Sequence, residues 1–245
     1  MQFSELEKWL FPPTCVLTGA PSLKFDLGEE ALLQLKSIVK GCRCCGRPLP
    51  DALPPHSLCG QCLPDPPAFD ETVAGFIYET VMRELILRYK FHPEPHLSRL
   101  LFELFYAIRQ QSLHTLGVEA IIPMPNHPNR LLERGFNSAL EIAKPLAKVL
   151  RVPLLPFAVQ RIKDTPPQSS LALEKRKQNI KGAFQVQPEY FQGVHSVLLV
   201  DDVMTTGHSL NALAEVIKAE TEVQYIVNAV MARGVKDSPA LNDCL

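Results

Sequence analysis

The sequence predicts an α/β protein with an open, mainly parallel β-sheet flanked by helices and preceded by a small cysteine-rich module. Strand-like apolar runs alternate with helix-like runs from about residue 69 onward, which is typical of parallel sheets. One run, SVLLV at residues 196–200, is almost entirely apolar, as expected of a central strand buried on both faces. Before the alternation begins, five of the seven cysteines lie between Cys42 and Cys62, among prolines and few large apolar side chains. Such a segment cannot build a hydrophobic core unaided.

Composition narrows the classes of protein that the chain can belong to. Its 245 residues can bury a sizeable core, and 46% hydrophobic with 21% charged residues is ordinary for a globular protein. Lysine and arginine (25) nearly balance aspartate and glutamate (26), so overall charge does not favour nucleic acid, and any such site would be a local patch. No apolar run reaches the roughly 18 residues of a membrane span, and no signal peptide is recognisable. We therefore expect a cytoplasmic protein without membrane insertion.

We place a domain boundary at residues 66–68. This boundary separates an N-terminal segment, residues 1–67, from a larger domain, residues 68–245, whose predicted strands and helices are as follows. Period-two and continuous apolar runs predict strands at residues 72–78, 119–123, 196–200 and 223–231. Apolar residues at helical spacing predict helices at residues 80–89, 95–111, 137–150 and 209–219, with Pro145 interrupting the third.

The segment that follows the buried strand carries the strongest functional signal. Asp201 and Asp202 come directly after the strand, at the end where ligands bind in open α/β sheets. Gly207 permits a tight turn with positive φ, and the next helix begins there with backbone N–H groups suited to a phosphate. Carboxylates repel phosphate but suit vicinal hydroxyls or Mg²⁺. The segment therefore predicts a ligand with a sugar diol and a phosphate; alternatively, the acids end a strand and the turn caps a helix.

This segment resembles the phosphoribosyl-diphosphate (PRPP) binding motif of type I phosphoribosyltransferases. The resemblance implies that Asp201 and Asp202 hold the ribose 2- and 3-hydroxyls and that Mg²⁺ accompanies PRPP. It also implies a loop that cradles the 5-phosphate and consists of Thr205, Thr206, Gly207, His208 and Ser209. Histidine is unusual in that loop, where the backbone N–H is what matters, and we do not assign His208 as a catalytic base.

Two further segments lie at the positions along the chain where type I phosphoribosyltransferases bind the diphosphate. The predicted strand at residues 119–123 ends at Pro123, and Arg130 and Arg134 follow it; arginine forks suit diphosphate oxygens. Residues 161–184 are rich in lysine and arginine and open with polar residues and prolines, so we expect a mobile loop that closes over the diphosphate. The alternatives are a solvated loop with a charged helix start for the first segment and a charged helix face for the second.

The combined order of these segments resembles the ComF family, phosphoribosyltransferase-like proteins linked to DNA uptake in natural competence. The matching residues are Arg134-Gly135-Phe136-Asn137, Gln168-Ser169, Arg176-Lys177-Gln178-Asn179 and Ala183-Phe184. The resemblance implies a PRPP-binding protein that transfers phosphoribosyl to an unidentified acceptor, with Asp201, Asp202 and Arg134 as catalytic residues. Alternatively, it is a non-catalytic accessory protein that handles single-stranded DNA with the competence machinery, and PRPP binding is regulatory or vestigial.

The cysteine spacing predicts a structural metal site. Cys42-x₂-Cys45 and Cys59-x₂-Cys62 are thirteen residues apart, a spacing that places four thiolates around one tetrahedral Zn²⁺ in a zinc-ribbon-like module. The expected compartment disfavours disulfides, and a redox pair does not need a duplicate.

The other three cysteines fall outside this pattern. Cys44 lies within the first knuckle as a bystander that could exchange with a neighbouring ligand. Cys15 starts what reads as an incomplete earlier pair, because Thr18 stands at its partner position. Cys244 reads as a lone thiol.

Overall fold

A parallel sheet forms the centre of the molecule, as the sequence predicts. The computed structural model describes residues 13–91, 95–164 and 182–235. The strands are β1 (Glu71–Ile77), β2 (Ala120–Pro123), β3 (Val159–Arg161), β4 (Phe184–Val186), β5 (Ser196–Met204) and β6 (Tyr225–Arg233). Four of them form a parallel sheet in the order β1-β6-β5-β2, while β3 and β4 form a separate antiparallel pair.

Helices cover both faces of the sheet. They are α1 (Glu29–Leu33), α2 (Thr80–Phe91), α3 (Pro95–Thr115), α4 (Pro128–Arg134), α5 (Ser138–Leu150) and α6 (His208–Glu220), with a 3₁₀ turn at Pro188–Phe191. Residues of α2, α3 and α5 pack on one face, and α6 packs on the other face beside the β3–β4 pair. Within the three described ranges, none of these helices combines the length and the apolar character that crossing a membrane requires.

The continuous apolar run of β5 is explained by helices on both sides. Val197 and Leu199 face the side of α6, whereas Leu198 and Val200 face α3 and α5, and all four are fully buried. The strand extends beyond the predicted end at residue 200 because β6 continues alongside it as far as Met204. The two acids therefore lie within the strand rather than after it.

Pro145 does not interrupt its helix, so that prediction was wrong. The α5 helix runs from Ser138 to Leu150 with Pro145 inside it. A proline removes the hydrogen bond to the carbonyl four residues earlier, here that of Glu141. Pro145 and Glu141 are both partly exposed, so water can reach that carbonyl, while Ile142 and Leu146 bury the opposite side.

Both edges of the sheet are covered by other parts of the chain. On β1, the N–H of Ile38 donates to the carbonyl of Gly75 (2.9 Å) and the N–H of Ile77 donates to that of Lys36 (2.8 Å). On β2, Ile121 exchanges backbone hydrogen bonds with residues 153 and 155. The cysteine-rich module thus packs against β1, and its cysteines share a hydrophobic cluster with β5 and α6. The division at residues 66–68 stays a prediction.

Candidate functional site

The carboxyl ends of β2, β5 and β6 meet at one edge of the sheet and bring the predicted residues together. Pro123 ends β2 and pairs with Val200 of β5. Asp201 and Asp202 follow Val200, and after Met204 the chain turns at residues 205–207 into α6. The site is therefore built on the rigid end of the sheet.

Asp202 is held from two other elements. It is only 4% exposed. The Lys90 ammonium, near the end of α2, lies 2.8 Å from Oδ1, and the Ser138 hydroxyl, at the start of α5, donates to Oδ2 at 2.7 Å. Both carboxylate oxygens thus have a partner, as a buried charge requires. Sequence reasoning missed Lys90 and Ser138, and no local pattern marks either of them.

Asp201 is half-buried and differs in its electrostatics. The N–H of Asp202 donates to Asp201 Oδ1 at 2.8 Å. Burial, followed by the neighbouring Asp202 carboxylate, raises the pKa of Asp201 to about 7, against the opposing pull of Lys90 and Arg161. Near neutral pH this carboxyl therefore exchanges readily between its protonated and ionised forms.

The turn at residues 205–207 leads into α6 through a left-handed glycine. Gly207 adopts φ = 83°, in the left-handed region that favours glycine, and it caps α6 without a side-chain hydrogen bond. Thr206 Oγ1 and His208 Nδ1 lie 3.1 Å apart, so the histidine ring is engaged within the turn. The first turn of a helix presents N–H groups that have no acceptor within the helix, and its dipole favours anions.

Three arginines lie near one another, and one of them, Arg161, acts on the charge of Asp201. Arg130 lies on α4, Arg134 is the last residue of that helix, and Arg161 ends β3. Burial and then the neighbouring Arg134 lower the pKa of Arg130, and burial and then Arg130 lower that of Arg161. Arg161 is 9% exposed, and its charge also acts on Asp201. In the sequence, Arg161 stands out only as the first residue of a basic segment. In the structure, residues 159–161 form a short strand in which Val159 and Arg161 are buried and Gln160 is exposed.

The segment after α4 is hydrogen-bonded to the loop that follows β2, at the same edge of the sheet. The side chain of Asn137 donates to the carbonyl of Met124 (3.1 Å) and accepts from the N–H of Leu140 (3.2 Å), so it caps α5 and holds the loop after β2. The Tyr89 hydroxyl donates to the carbonyl of Ser138 at 2.8 Å. Of the predicted mobile loop, residues 165–181 lie outside the described residues, and they include Gln168, Ser169 and residues 176–179.

The four cysteines of the two knuckles form one cluster. All four are buried, and their sulfur atoms lie within 4.8 Å of one another. The sulfurs of Cys45 and Cys59 are 3.6 Å apart, and the N–H of Cys59 donates to the sulfur of Cys42 at 3.2 Å. The hydrogen bond between the sulfurs of Cys42 and Cys45 lowers the pKa of Cys42 and raises that of Cys45, so the two thiols share a proton. The cluster could therefore hold a metal ion.

The remaining cysteines do not join that cluster. Cys44 is buried with its sulfur 3.8 Å from the carbonyl oxygen of Asp70. Cys15 is buried on the opposite face of the sheet, and Cys244 lies outside the described residues. A cavity of about 990 Å³ lies between the cysteine cluster and the turn at residues 205–207. Its lining includes Cys62, Phe69, Thr206 and Gly207.

Comparison with known proteins identifies the family. The chain is 36% identical to competence protein F of Haemophilus influenzae over 164 residues, which cover 65% of this chain and 72% of the relative. It is 34% identical to the DNA utilization protein YhgH of Shigella flexneri and of Escherichia coli over 179 residues, 72% of this chain and 77% of those relatives. The chain belongs to the ComF family.

Other comparisons add little to the ComF assignment. No protein-family model matches the chain. An adenine phosphoribosyltransferase structure overlaps with 59% of this chain and 73% of its own, at a TM-score of 0.35 and 17% identity. A second, from Saccharomyces cerevisiae in complex with an imino-altritol bisphosphate and adenine, overlaps with 58% of this chain and 71% of its own, at a TM-score of 0.34 and 19% identity. Both TM-scores are too low to support a conclusion about this chain.

The raised pKa of Asp201 predicts a pH-dependent gain in stability from Asp201→Asn. The folded-state pKa lies above that of the unfolded chain, so the ionised carboxyl destabilises the fold increasingly as the pH rises from about 4 through 7. Asparagine cannot ionise and can still accept the hydrogen bond from Asp202. In urea titrations, the stability of the variant relative to the parent should increase by about 2–3 kcal/mol between pH 5 and pH 8, because the folded-state Asp201 stays largely protonated up to pH 7 while the unfolded chain is ionised. An exposed control, Glu189→Gln, should show no such trend, and an equal difference for Asp201→Asn at both pH values would contradict the assignment.

Proposed function

We propose that this ComF-family protein binds PRPP with Mg²⁺ at the carboxyl edge of the sheet and acts in DNA uptake. The observation that carries the proposal is that Asp201, near the carboxyl end of β5, and the left-handed glycine turn that opens α6 lie within seven residues, while Arg161, next to Arg130, acts on the charge of Asp201. These are the three recognition elements of a molecule with a ribose diol, a 5-phosphate and a diphosphate.

The two carboxylates take different parts in the proposed site. Both oxygens of Asp202 already contact Lys90 and Ser138, so we assign Asp202 to hold the strand end in place. Asp201 has one oxygen bonded to the N–H of Asp202 and is partly exposed, so we assign the ribose hydroxyls to Asp201. Binding a diol there requires the ionised carboxylate, and a nearby Mg²⁺ would favour that form.

We assign the 5-phosphate to the turn at residues 205–209 and the diphosphate to the arginines. Residues 205–209 supply backbone N–H and hydroxyl groups for the 5-phosphate at the helix N-terminus. Besides burial, the charge of Arg134 lowers the pKa of Arg130 and the charge of Arg130 lowers that of Arg161, and an anion between these arginines would relieve that repulsion. Oxygen ligands from the diphosphate and from Asp201 are the donors that Mg²⁺ prefers.

This arrangement also suits phosphoribosyl transfer to an acceptor. Transfer breaks the bond between ribose C1 and the diphosphate oxygen, and negative charge develops on the leaving diphosphate. The arginine group would stabilise that charge, while Asp201 and the turn would fix the ribose so that C1 faces the acceptor. Catalysis at this site would rest on positioning and charge rather than on a dedicated base.

Calorimetric titration with PRPP and Mg²⁺ tests the binding site. The parent protein should bind with one site per chain, and Asp201→Ala should weaken binding at least about tenfold because a charge-assisted hydrogen bond to the diol is lost. Glu189→Gln serves as the matched control, since it removes an exposed carboxylate that lies outside the motif and before β5 begins. Absence of binding in the folded parent, or an unchanged affinity in Asp201→Ala, would refute the proposal.

A role in DNA handling is the second candidate, and it has its own support. The relatives are named for competence and for DNA utilization, and residues 161–184 contain a local excess of basic residues. We propose that this basic segment contacts the backbone of single-stranded DNA during uptake, together with proteins of the competence machinery.

The salt dependence of DNA affinity tests this second candidate. Replacing Arg176 and Lys177 by alanine should reduce the slope of log affinity against log salt by about 1.4, because each single-strand phosphate contact contributes about 0.7. A control pair of exposed residues, Lys24→Ala with Lys148→Ala, should leave the slope unchanged. If both double variants give the same slope as the parent, the basic segment does not contact DNA.

We propose that the cysteine cluster holds a structural Zn²⁺. Tetrahedral Zn–S bonds of about 2.3 Å place sulfurs about 3.8 Å apart, and the observed cluster has sulfurs at 3.6 Å within a 4.8 Å group. Gly46 follows the first knuckle with φ = 66°, and a Cβ there would lie only 2.9 Å from Cβ of Ala74, so the knuckle can pack closely on β1. Zinc would supply the binding energy that this small module cannot obtain from apolar burial.

Metal analysis of cysteine variants tests the zinc proposal. Cys59→Ser should lower the zinc content from about one ion per chain to near zero and should lower the melting temperature, because a ligand is lost. Cys44→Ser is the matched control, since Cys44 is equally buried but lies outside the cluster. Full zinc content in Cys59→Ser, or its loss in Cys44→Ser, would contradict the ligand assignment.

A further inference from the structure

Arg233 bridges the cysteine cluster and the phosphate turn. It ends β6, is only 2% exposed, and pairs with Met204 of β5. Its Nε donates to the carbonyl of Cys45 at 2.7 Å, and its Nη1 donates to the carbonyl of Met204 at 3.0 Å and also to that of Thr205. One guanidinium thus connects a cysteine of the cluster with the two residues that lead into the turn.

The contacts of Arg233 fix the relative positions of two backbones. Without the guanidinium, the carbonyls of Cys45 and Thr205 would lose this donor, whereas that of Met204 would keep the N–H of Gly234. Leaving a buried acceptor such as the Cys45 carbonyl unsatisfied is costly. Because the guanidinium is planar and rigid, moving the Cys45 carbonyl moves the donor that holds Met204 and Thr205. The same arginine lines the cavity that separates Cys62 from Thr206.

Charge strengthens this connection. Four thiolates around one Zn²⁺ carry a net charge of −2, and the Arg233 side chain is the buried cation whose hydrogen bond reaches the backbone of that cluster. Loss of the metal removes the covalent constraint on Cys45 and changes the charge beside Arg233. Both changes act on the group that holds the turn.

We propose that Arg233 is a positioning residue through which the metal-bound cysteine cluster orders the phosphate turn at residues 204–209. The proposal rests on the proposed zinc and PRPP sites. Because coupling between the affinities of two binding sites is reciprocal, ligand bound at the turn should also tighten metal binding by the cysteines.

Hydrogen–deuterium exchange tests the coupling without any ligand. Peptides that cover residues 203–210 are followed in the zinc-loaded protein and after removal of zinc with a chelator, and residues 139–147 of α5 report whether the fold survives. In the parent, zinc removal should speed exchange in the turn at least about fivefold more than in α5. Arg233→Lys should exchange quickly in the turn even with zinc bound, because lysine cannot bridge all three carbonyls.

Arg109→Lys is the matched control for this experiment. Arg109 is also an arginine that donates to backbone carbonyls, those of Ala74 (2.8 Å) and Ile38, and so joins the N-terminal segment to β1 away from the turn. It should keep the parent's dependence on zinc. Equal exchange in the turn with and without zinc in the folded parent, or a parent-like response in Arg233→Lys, would overturn the proposal.

A second measurement needs only the loaded protein and separates this proposal from PRPP binding itself. The zinc affinity is measured by competition with a chromophoric chelator, with and without saturating PRPP and Mg²⁺. PRPP should tighten zinc binding at least about fivefold in the parent and in Arg109→Lys, but less than about twofold in Arg233→Lys. If PRPP does not bind by calorimetry while the exchange results hold, the coupling stands and the PRPP proposal fails. If PRPP binds by calorimetry but leaves the zinc affinity of the parent unchanged, or tightens zinc binding equally in Arg233→Lys, the coupling fails.

Discussion

The in-register pairing of β5 with β6 is the constraint on which the site depends. It aligns Asp201 with Val230 and Met204 with Arg233, so the carboxylates and the arginine end at the same edge of the sheet. Side chains alternate between the faces of a strand, and a slip of one residue would send Asp202 toward the opposite face from Lys90. The buried apolar core of both strands prevents that slip, so packing in the middle of the sheet determines chemistry at its end.

The two carboxylates at this edge of the sheet differ in their hydrogen-bond partners and in their exposure to solvent. Asp202 is fully satisfied by Lys90 and Ser138 and serves as a fixed point. Asp201 stays closer to solvent, and burial together with the Asp202 carboxylate raises its pKa to about 7, whereas Lys90 and Arg161 act in the opposite direction. The charge of Asp201 is therefore set by residues of α2 and β3 as well as by its own strand.

The sequence predicted the elements well and the tertiary contacts poorly. Local periodicity predicts the strands of the sheet and the helices around it, and the spacing of the cysteines predicts that four of them cluster. Lys90, Ser138, Arg161 and Arg233 acquire their roles only when distant elements meet, and nothing in their own neighbourhoods marks them. Pro145 shows the converse, because a strong local signal was overridden by the burial of the opposite helix face. Residues 165–181, which carry much of the ComF resemblance, lie outside the described residues.

The coverage of both sheet edges limits how other macromolecules can engage this fold. Residues 36–38 already use backbone groups of β1, and residues 153–155 do the same for β2. A binding partner that recognises proteins by strand addition would have to displace one of these segments first. Recognition through the described domain is therefore left to side chains and helix surfaces, which makes it specific to sequence rather than to backbone shape.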